Sequence, residues 1–145
     1  MGNTPLPRVY GRIYITIFKM KTEKAIILSL PFLPVSVNKA YAGYPKRHCS
    51  KEYKKFQKDV DLFFRKLPRY SIEGNKPLEV RYEFTMKVYC KNGNIKKQDL
   101  ANLEKTLSDT LAHHIDWFKD EKIVKMTLLK INDSKETTNI LIKEL

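Results

Sequence analysis

The chain predicts an α+β fold, a small mixed sheet with two main helices packed on it, and three stretches carry that prediction. Leu78, Val80, Tyr82, Phe84, Met86 and Val88 alternate with Glu79, Arg81, Glu83, Thr85 and Lys87. This is the two-residue period of a strand with one buried face. Leu100, Leu103, Leu107 and Leu111 recur at helical spacing from Asp99 onward, so a helix lays that stripe inward and turns Asn102, Lys105 and Asp109 elsewhere. Tyr53, Phe56, Val60 and Phe63 repeat the same spacing between about Lys51 and Lys66.

The elements read in order as strand, loop, helix, strand, loop, helix, strand, strand. Ahead of them, Ile13, Ile15 and Ile17 alternate with Tyr14, Thr16 and Phe18, which suits an extra strand within an N-terminal extension over residues 1–22. Met20 offers an alternative start, which would make that extension peripheral to a domain over residues 23–145. Ala25 to Leu30 is a short apolar run ended by Pro31, as in a buried strand. Pro31, Pro34, Asn38, Gly43 and Pro45 then punctuate a loop carrying Tyr41, Tyr44, Lys46, Arg47 and His48. Ser50 can cap the first helix, whose Lys51, Lys54, Lys55 and Lys58 fall on the side away from the aromatic stripe. A solvated face is the usual meaning of such a run, and contact with DNA is the rival meaning. Cys90 to Asp99 reads as a basic loop with Asn92-Gly93 at its tip, where positive backbone dihedrals come easily. Ile123 to Ile131 and Thr138 to Leu145 close the domain as strands joined by the polar turn Asn132 to Glu136.

Length and composition bound the function. One domain fits 145 residues, and 42% hydrophobic content is too high for intrinsic disorder. No stretch approaches the ~20 consecutive apolar residues of a membrane-spanning helix. Residues 1–20 lack the continuous apolar core of a secretory signal, and Cys49 and Cys90 have neither CxxC spacing nor a His partner set. The expected setting is reduced cytoplasm, with no membrane. A formal charge of +12 and a pI near 9.7 create a field that recruits polyanions by releasing their condensed counterions. Nucleic acid is the leading partner, against a merely basic surface on a protein of lysine-rich composition.

Chemistry concentrates between Lys96 and Asp120. Asp99, Asn102 and Lys105 open a helix directly after Lys96-Lys97, and Asp120 follows that helix. Hard divalent cations such as magnesium want carboxylate oxygens, and an ion so held can position water and stabilise charge on a scissile phosphate. Asp99 and Asp120 are the best ligands available, beside a surface that attracts phosphate. At about 100° per residue, positions 101 and 105 lie within about 40° of each other on the helix surface, so Lys105 flanks a slot that Ala101 leaves without a carboxylate. Lysine there can stabilise a pentacovalent phosphate or a leaving oxygen. Plainer meanings stand beside these. Asp99 can be a simple N-cap, Asp120 with Glu121 ordinary turn polarity, and Lys105 a surface partner of Asp109 one turn on. Asp116 is an acidic loop residue with no special spacing. His113 and His114 suit the negative end of the helix dipole. Trp117 and Phe118 read as core or dimer packing rather than as a base-stacking platform.

Taken in order, these elements resemble the RusA family of Holliday-junction resolvases. The resemblance runs from about Leu28 to Leu145. It begins at Leu30-Pro31 and the segment Pro34 to Asn38 and continues through Arg47-His48-Cys49-Ser50. Its most specific part is Lys97-Gln98-Asp99-Leu100-Ala101-Asn102-Leu103-Glu104-Lys105, similar to a D-L-D-N-x-x-K run, followed by Asp109-Thr110-Leu111 where D-A-L is usual. Asp120 ahead of Ile123 matches the family's acidic residue before a late strand, where the first of two adjacent acids is here Lys119.

The resemblance implies a small homodimeric, magnesium-dependent endonuclease, with manganese an acceptable substitute, that resolves four-way DNA junctions by paired nicks. It implies metal ligation by Asp99 and Asp120 and a catalytic or phosphate-contacting part for Lys105. Lys46, Arg47, Lys96 and Lys97 are the candidate phosphate contacts of the basic segments, and the resemblance adds Asn38 as a DNA contact near the branch. The second aspartate of D-L-D-N is here Ala101, whose methyl can neither ligate magnesium nor accept a proton. Loss of cleavage with binding retained is therefore expected, and the alternatives are a non-catalytic branched-DNA-binding protein or a basic RNA-binding structural protein.

Overall fold

The computed structural model describes residues 15–20, 23–43, 46–65 and 76–145, with backbone alone for residues 15–20 and 23–24. Five strands form one sheet in the order β1-β2-β7-β5-β6. Their spans are β1 Ile15–Met20, β2 Glu23–Leu30, β5 Leu78–Met86, β6 Ile123–Asn132 and β7 Thr137–Glu144. The isoleucine alternation near the N-terminus thus does form a strand, antiparallel to β2 with Ile15 opposite Leu28; Ile13 and Tyr14 lie outside the described residues. Strand β7 lies antiparallel to both β2 and β5, whereas β5 and β6 run parallel. Parallel neighbours need a crossover, and helix α3, Leu100–His114, supplies it.

Two helices, α2 over Lys51–Arg65 and α3, carry the stripes expected of them. Tyr53, Phe56 and Val60 of α2 and Leu103, Leu107 and Leu111 of α3 are buried against Leu78, Val80, Tyr82 and Phe84 of β5 and Ile140 and Ile142 of β7. At roughly 1.5–3 kcal/mol for each large apolar side chain removed from water, this layer is what holds the helices on the sheet. Phe118 belongs to the same core and Trp117 packs on its edge, as packing residues rather than an open platform. Lys51, Lys54, Lys55 and Lys58 are exposed along the outer side of α2. The expected helix end at Lys66 lies outside the described residues.

The structure departs from the sequence reading at two loops. Between β2 and α2, part of the expected loop coils into a single short helix, α1 over Val37–Ala40, followed by a two-stranded hairpin of β3 Tyr41–Ala42 and β4 His48–Cys49. Gly43 turns that hairpin at φ 99°, and a Cβ there would fall 2.5 Å from the His48 ring. The second departure is Val88, which the alternation assigned to the long strand although β5 ends at Met86. Its N–H donates to Asn132 Oδ1 (3.0 Å) and its carbonyl accepts from the Lys96 N–H (2.8 Å), so local hydrogen bonds draw it out of the sheet. An alternating pattern reports side-chain facing alone and cannot tell a strand's last pair from the first pair of a hairpin.

Candidate nucleic-acid interface

The crossover sets the site. Chain leaving β5 at Met86 passes through residues 87–99 before α3 turns back, so the α3 N-terminus sits at the end of the sheet where β5 and β6 finish. Asp99 is the N-cap of α3, and one of its carboxylate oxygens accepts the Ala101 N–H at 3.0 Å. The capping meaning of Asp99 is thus correct, and it leaves the second oxygen available.

Against this terminus lies α1, held by hydrogen bonds at both ends. Thr106 Oγ1 donates to the Val35 carbonyl, and Thr138 Oγ1 donates to that of Phe32 at 2.7 Å, which ties residues 32–35 to α3 and β7. Ser50 does double duty at the far end: its hydroxyl donates to the Lys39 carbonyl and accepts the Tyr53 N–H at 3.2 Å. One residue therefore starts α2, as expected of it, and anchors the C-terminal end of α1.

The result is a groove of about 530 Å³ whose walls include Asn38 and Lys39 of α1, Lys96, Lys97, Asp99 and Asn102, and Lys130 of β6. It continues into a second hollow of about 310 Å³ that shares Lys96, Lys97 and Lys130 and adds Lys87. Of the residues singled out in the sequence, Asn38, Lys96, Lys97, Asp99 and Asn102 are brought together here. Lys39 and Lys130 were missed. A signal for Lys130 exists, because Met126, Leu128 and Lys130 share one phase of β6 opposite Val80, Tyr82 and Phe84, and a lysine in an apolar phase calls for a reason.

Other candidates lie elsewhere. Lys46 and Arg47 are exposed near the β3–β4 hairpin and do not line this groove, and the Arg47 guanidinium rests 5.6 Å from the centre of the Tyr41 ring. That hairpin borders a separate cleft between α2 and α3 lined by Tyr41, Tyr53, Asp61, Asp109 and His114. There His114 stacks on Phe64 with ring centres 5.1 Å apart, and burial lowers its pKa from the ordinary 6.5 against the opposing pull of Asp61. Lys105 and Ala101 are both exposed on α3, and Lys105 makes no ion pair among the described residues. Asp109 is thus not its partner.

Asp120 begins a single 3-10 turn, Asp120–Lys122, whose first carbonyl accepts the Ile123 N–H as β6 starts. Asp99 caps the start of α3 and Asp120 follows its end ahead of β6, so the 15-residue helix separates the two in sequence. Among the described residues no three Asp, Glu, His or Cys side chains are grouped to hold a metal. Glu104, one turn beyond Ala101, does not fill the vacant position either. Its Oε1 accepts from Ser108 Oγ (2.9 Å), which shares a 2.8 Å hydrogen bond with the buried Tyr82 hydroxyl, so this carboxylate is drawn toward the middle of α3.

A groove of lysines and amides ending at a carboxylate suits a phosphodiester backbone, and the family that the chain matches is of the same class, nucleases acting on DNA. The family model for endodeoxyribonuclease RusA matches residues 31–143, and the chain belongs to that family. No curated protein matches the chain. Among solved structures, the periplasmic domain of Helicobacter pylori MotB matches over 90% of this chain and 79% of its own, at 7% identity and a TM-score of 0.37. Likeness that weak carries neither fold nor function across.

Proposed function

We propose that this protein binds four-way DNA junctions along the Asp99 groove and that its cleavage step is impaired at Ala101. The observation that carries the reading is the convergence on one groove of Lys39, Lys96, Lys97 and Lys130 with Asn38, Asn102 and Asp99. Lysines there neutralise backbone phosphates, and the two asparagines can donate to phosphate or sugar oxygens. Lys46 and Arg47, on a separate projection, contact a further stretch of DNA backbone.

The family's chemistry calls for a divalent cation, magnesium or manganese, which when bound supplies Lewis-acid stabilisation of charge on phosphate. Residues of one chain fit such an ion loosely. Asp99 offers a free carboxylate oxygen and Asn102 an amide oxygen, and the remaining positions fall to water and substrate phosphate, as is common for magnesium. In this reading Asp120 serves as the second acidic ligand only where two chains meet, so a homodimer with two equivalent sites is required. Lys105, one turn beyond the vacant position, stabilises developing negative charge. The protein works in the cytoplasm.

Competition binding tests the proposal. A four-way junction and a linear duplex of the same sequence, at matched salt, should differ by at least tenfold in affinity. Equal affinity for both, or tighter binding of structured RNA, would favour the basic RNA-binding alternative.

A further inference from the structure

The segment between β5 and α3 is built as a finger. Lys96 N–H donates to the Val88 carbonyl at 2.8 Å and Cys90 N–H to the Asn94 carbonyl at 2.7 Å, and between these bonds Tyr89 lies opposite Ile95 in an antiparallel bridge. Such a non-hydrogen-bonded pair brings its two side chains close together on one face. The tip is closed by Gly93 N–H to the Cys90 carbonyl (3.0 Å) and by Asn94 N–H to Asn92 Oδ1 (3.0 Å), with Gly93 at φ 85°. The base is tied to the end of β6 by Val88 N–H to Asn132 Oδ1 and by Asp133 N–H to the Met86 carbonyl, both 3.0 Å. A hairpin hydrogen-bonded at tip, middle and base presents its side chains in fixed positions.

What it presents is apolar. Tyr89 is 48% exposed and Ile95 65% exposed, side by side, in a segment whose other outward residues include Lys87, Lys91, Lys96 and Lys97. Lysines this close favour a polyanion and oppose burial against an ordinary apolar protein surface. Lys96 and Lys97 also line the Asp99 groove, so a nucleic-acid backbone lying in that groove passes the base of the finger. The one apolar, flat component of a polyanion of this kind is a base, and bases are available for stacking where a duplex is interrupted.

We propose that the Tyr89–Ile95 face receives an unstacked nucleobase at the branch point of the DNA, Tyr89 stacking on the base and Ile95 supporting its edge. This rests on the junction-binding reading and adds to it the means by which a branch is told from a continuous duplex. Duplex arms meet the lysines alone, whereas a branch also satisfies the apolar pair.

The test uses the full chain with a four-way junction carrying a fluorescent adenine analogue beside the branch, reading emission and, separately, binding anisotropy. Emission should change when the unsubstituted protein binds. Tyr89→Phe should preserve the change, and Tyr89→Ala should abolish it while weakening junction binding on the order of ten- to a hundredfold. Affinity for linear duplex and its salt dependence should be the same for all three proteins. If Tyr89→Ala keeps both the emission change and the junction affinity, the stacking role is overturned while junction binding stands. If Tyr89→Ala instead lowers the oligomeric state in sedimentation, the face is a contact between chains and the inference falls. If the unsubstituted protein shows no junction preference, both this inference and the functional reading fail together.

Discussion

Replacing Lys96 and Lys97 by alanine should change the salt dependence of DNA binding by an amount the groove itself sets. Four lysines line it, Lys39, Lys96, Lys97 and Lys130. If each neutralises one phosphate of a duplex arm, together they contribute a slope of about −3.6 to the plot of log affinity against log salt, at −0.9 for each phosphate. Raising salt fourfold, from about 50 to 200 mM, then costs roughly 150-fold in affinity through the groove alone. The double variant keeps two of the four contacts, so its groove slope is about −1.8 and the same change costs roughly 12-fold. Lys54→Ala with Lys55→Ala removes equal charge from the outer face of α2 and should leave the slope nearly unchanged, because those lysines are read as solvated. Fluorescence anisotropy with a labelled junction, titrated over a salt series, measures all three proteins. An unaltered slope in the groove variant, or an equal fall in the α2 variant, would show that net charge rather than the groove governs binding.

Further expectations follow from single contacts. Ser50→Ala deletes the α2 cap and the bond to Lys39, so the urea midpoint should fall by the equivalent of about 1 kcal/mol with an unchanged m-value; no shift would refute the anchoring role given to Ser50. Burial holds the folded-state pKa of His114 below its ordinary 6.5. The unfolded chain therefore binds more protons near that pH, and the stability His114 contributes is complete above 6.5 and lost as pH falls toward its depressed value. His114→Phe should flatten the decline between about pH 7.5 and 5.5, and unfolding midpoints as steep in the variant as in the parent would contradict this. Asp120→Asn should weaken manganese binding, followed by electron paramagnetic resonance, while junction affinity stays within about twofold, since the residue is exposed and does not line the lysine groove. Equal loss of both would mean that Asp120 supports the fold.

Much of this architecture was legible because periodicity and capping act locally. The stripes Leu100-Leu103-Leu107-Leu111 and Tyr53-Phe56-Val60 and the Ser50 cap each depend on a few neighbouring residues and took the expected form. The alternating strand from Leu78 to Met86 formed but is buried on both faces in its second half, where Glu83 and Thr85 join the core in place of the single buried face expected. Lys96, Lys97 and Asp99 were legible as neighbours in one run and Asn38 separately by resemblance, although nothing local says that α1 packs against the start of α3. That contact depends on Thr106 reaching Val35, 71 residues away in sequence. The same limit hid Lys130, which enters the groove only because β6 pairs in parallel with β5. Asp120 was singled out as a carboxylate in a family-like position after α3, and a ligand proposed to join Asp99 across a dimer leaves no periodic trace in one chain's sequence. The finger at Tyr89 read as a basic loop because an isolated bridge of one residue pair has no periodicity to detect.

The central claim is that the chain holds branched DNA in the Asp99 groove and that the exposed α3 position beyond it, Ala101, lacks the carboxylate needed for cleavage. It is met most directly by incubating a four-way junction with magnesium and either the chain as it stands or its Ala101→Asp form, with strand scission resolved on a denaturing gel. Ala101→Asp should give paired nicks near the branch, and the parent a rate at least a hundredfold lower, at comparable junction affinity. Equal cutting by both, or binding by both with cutting by neither, would contradict it.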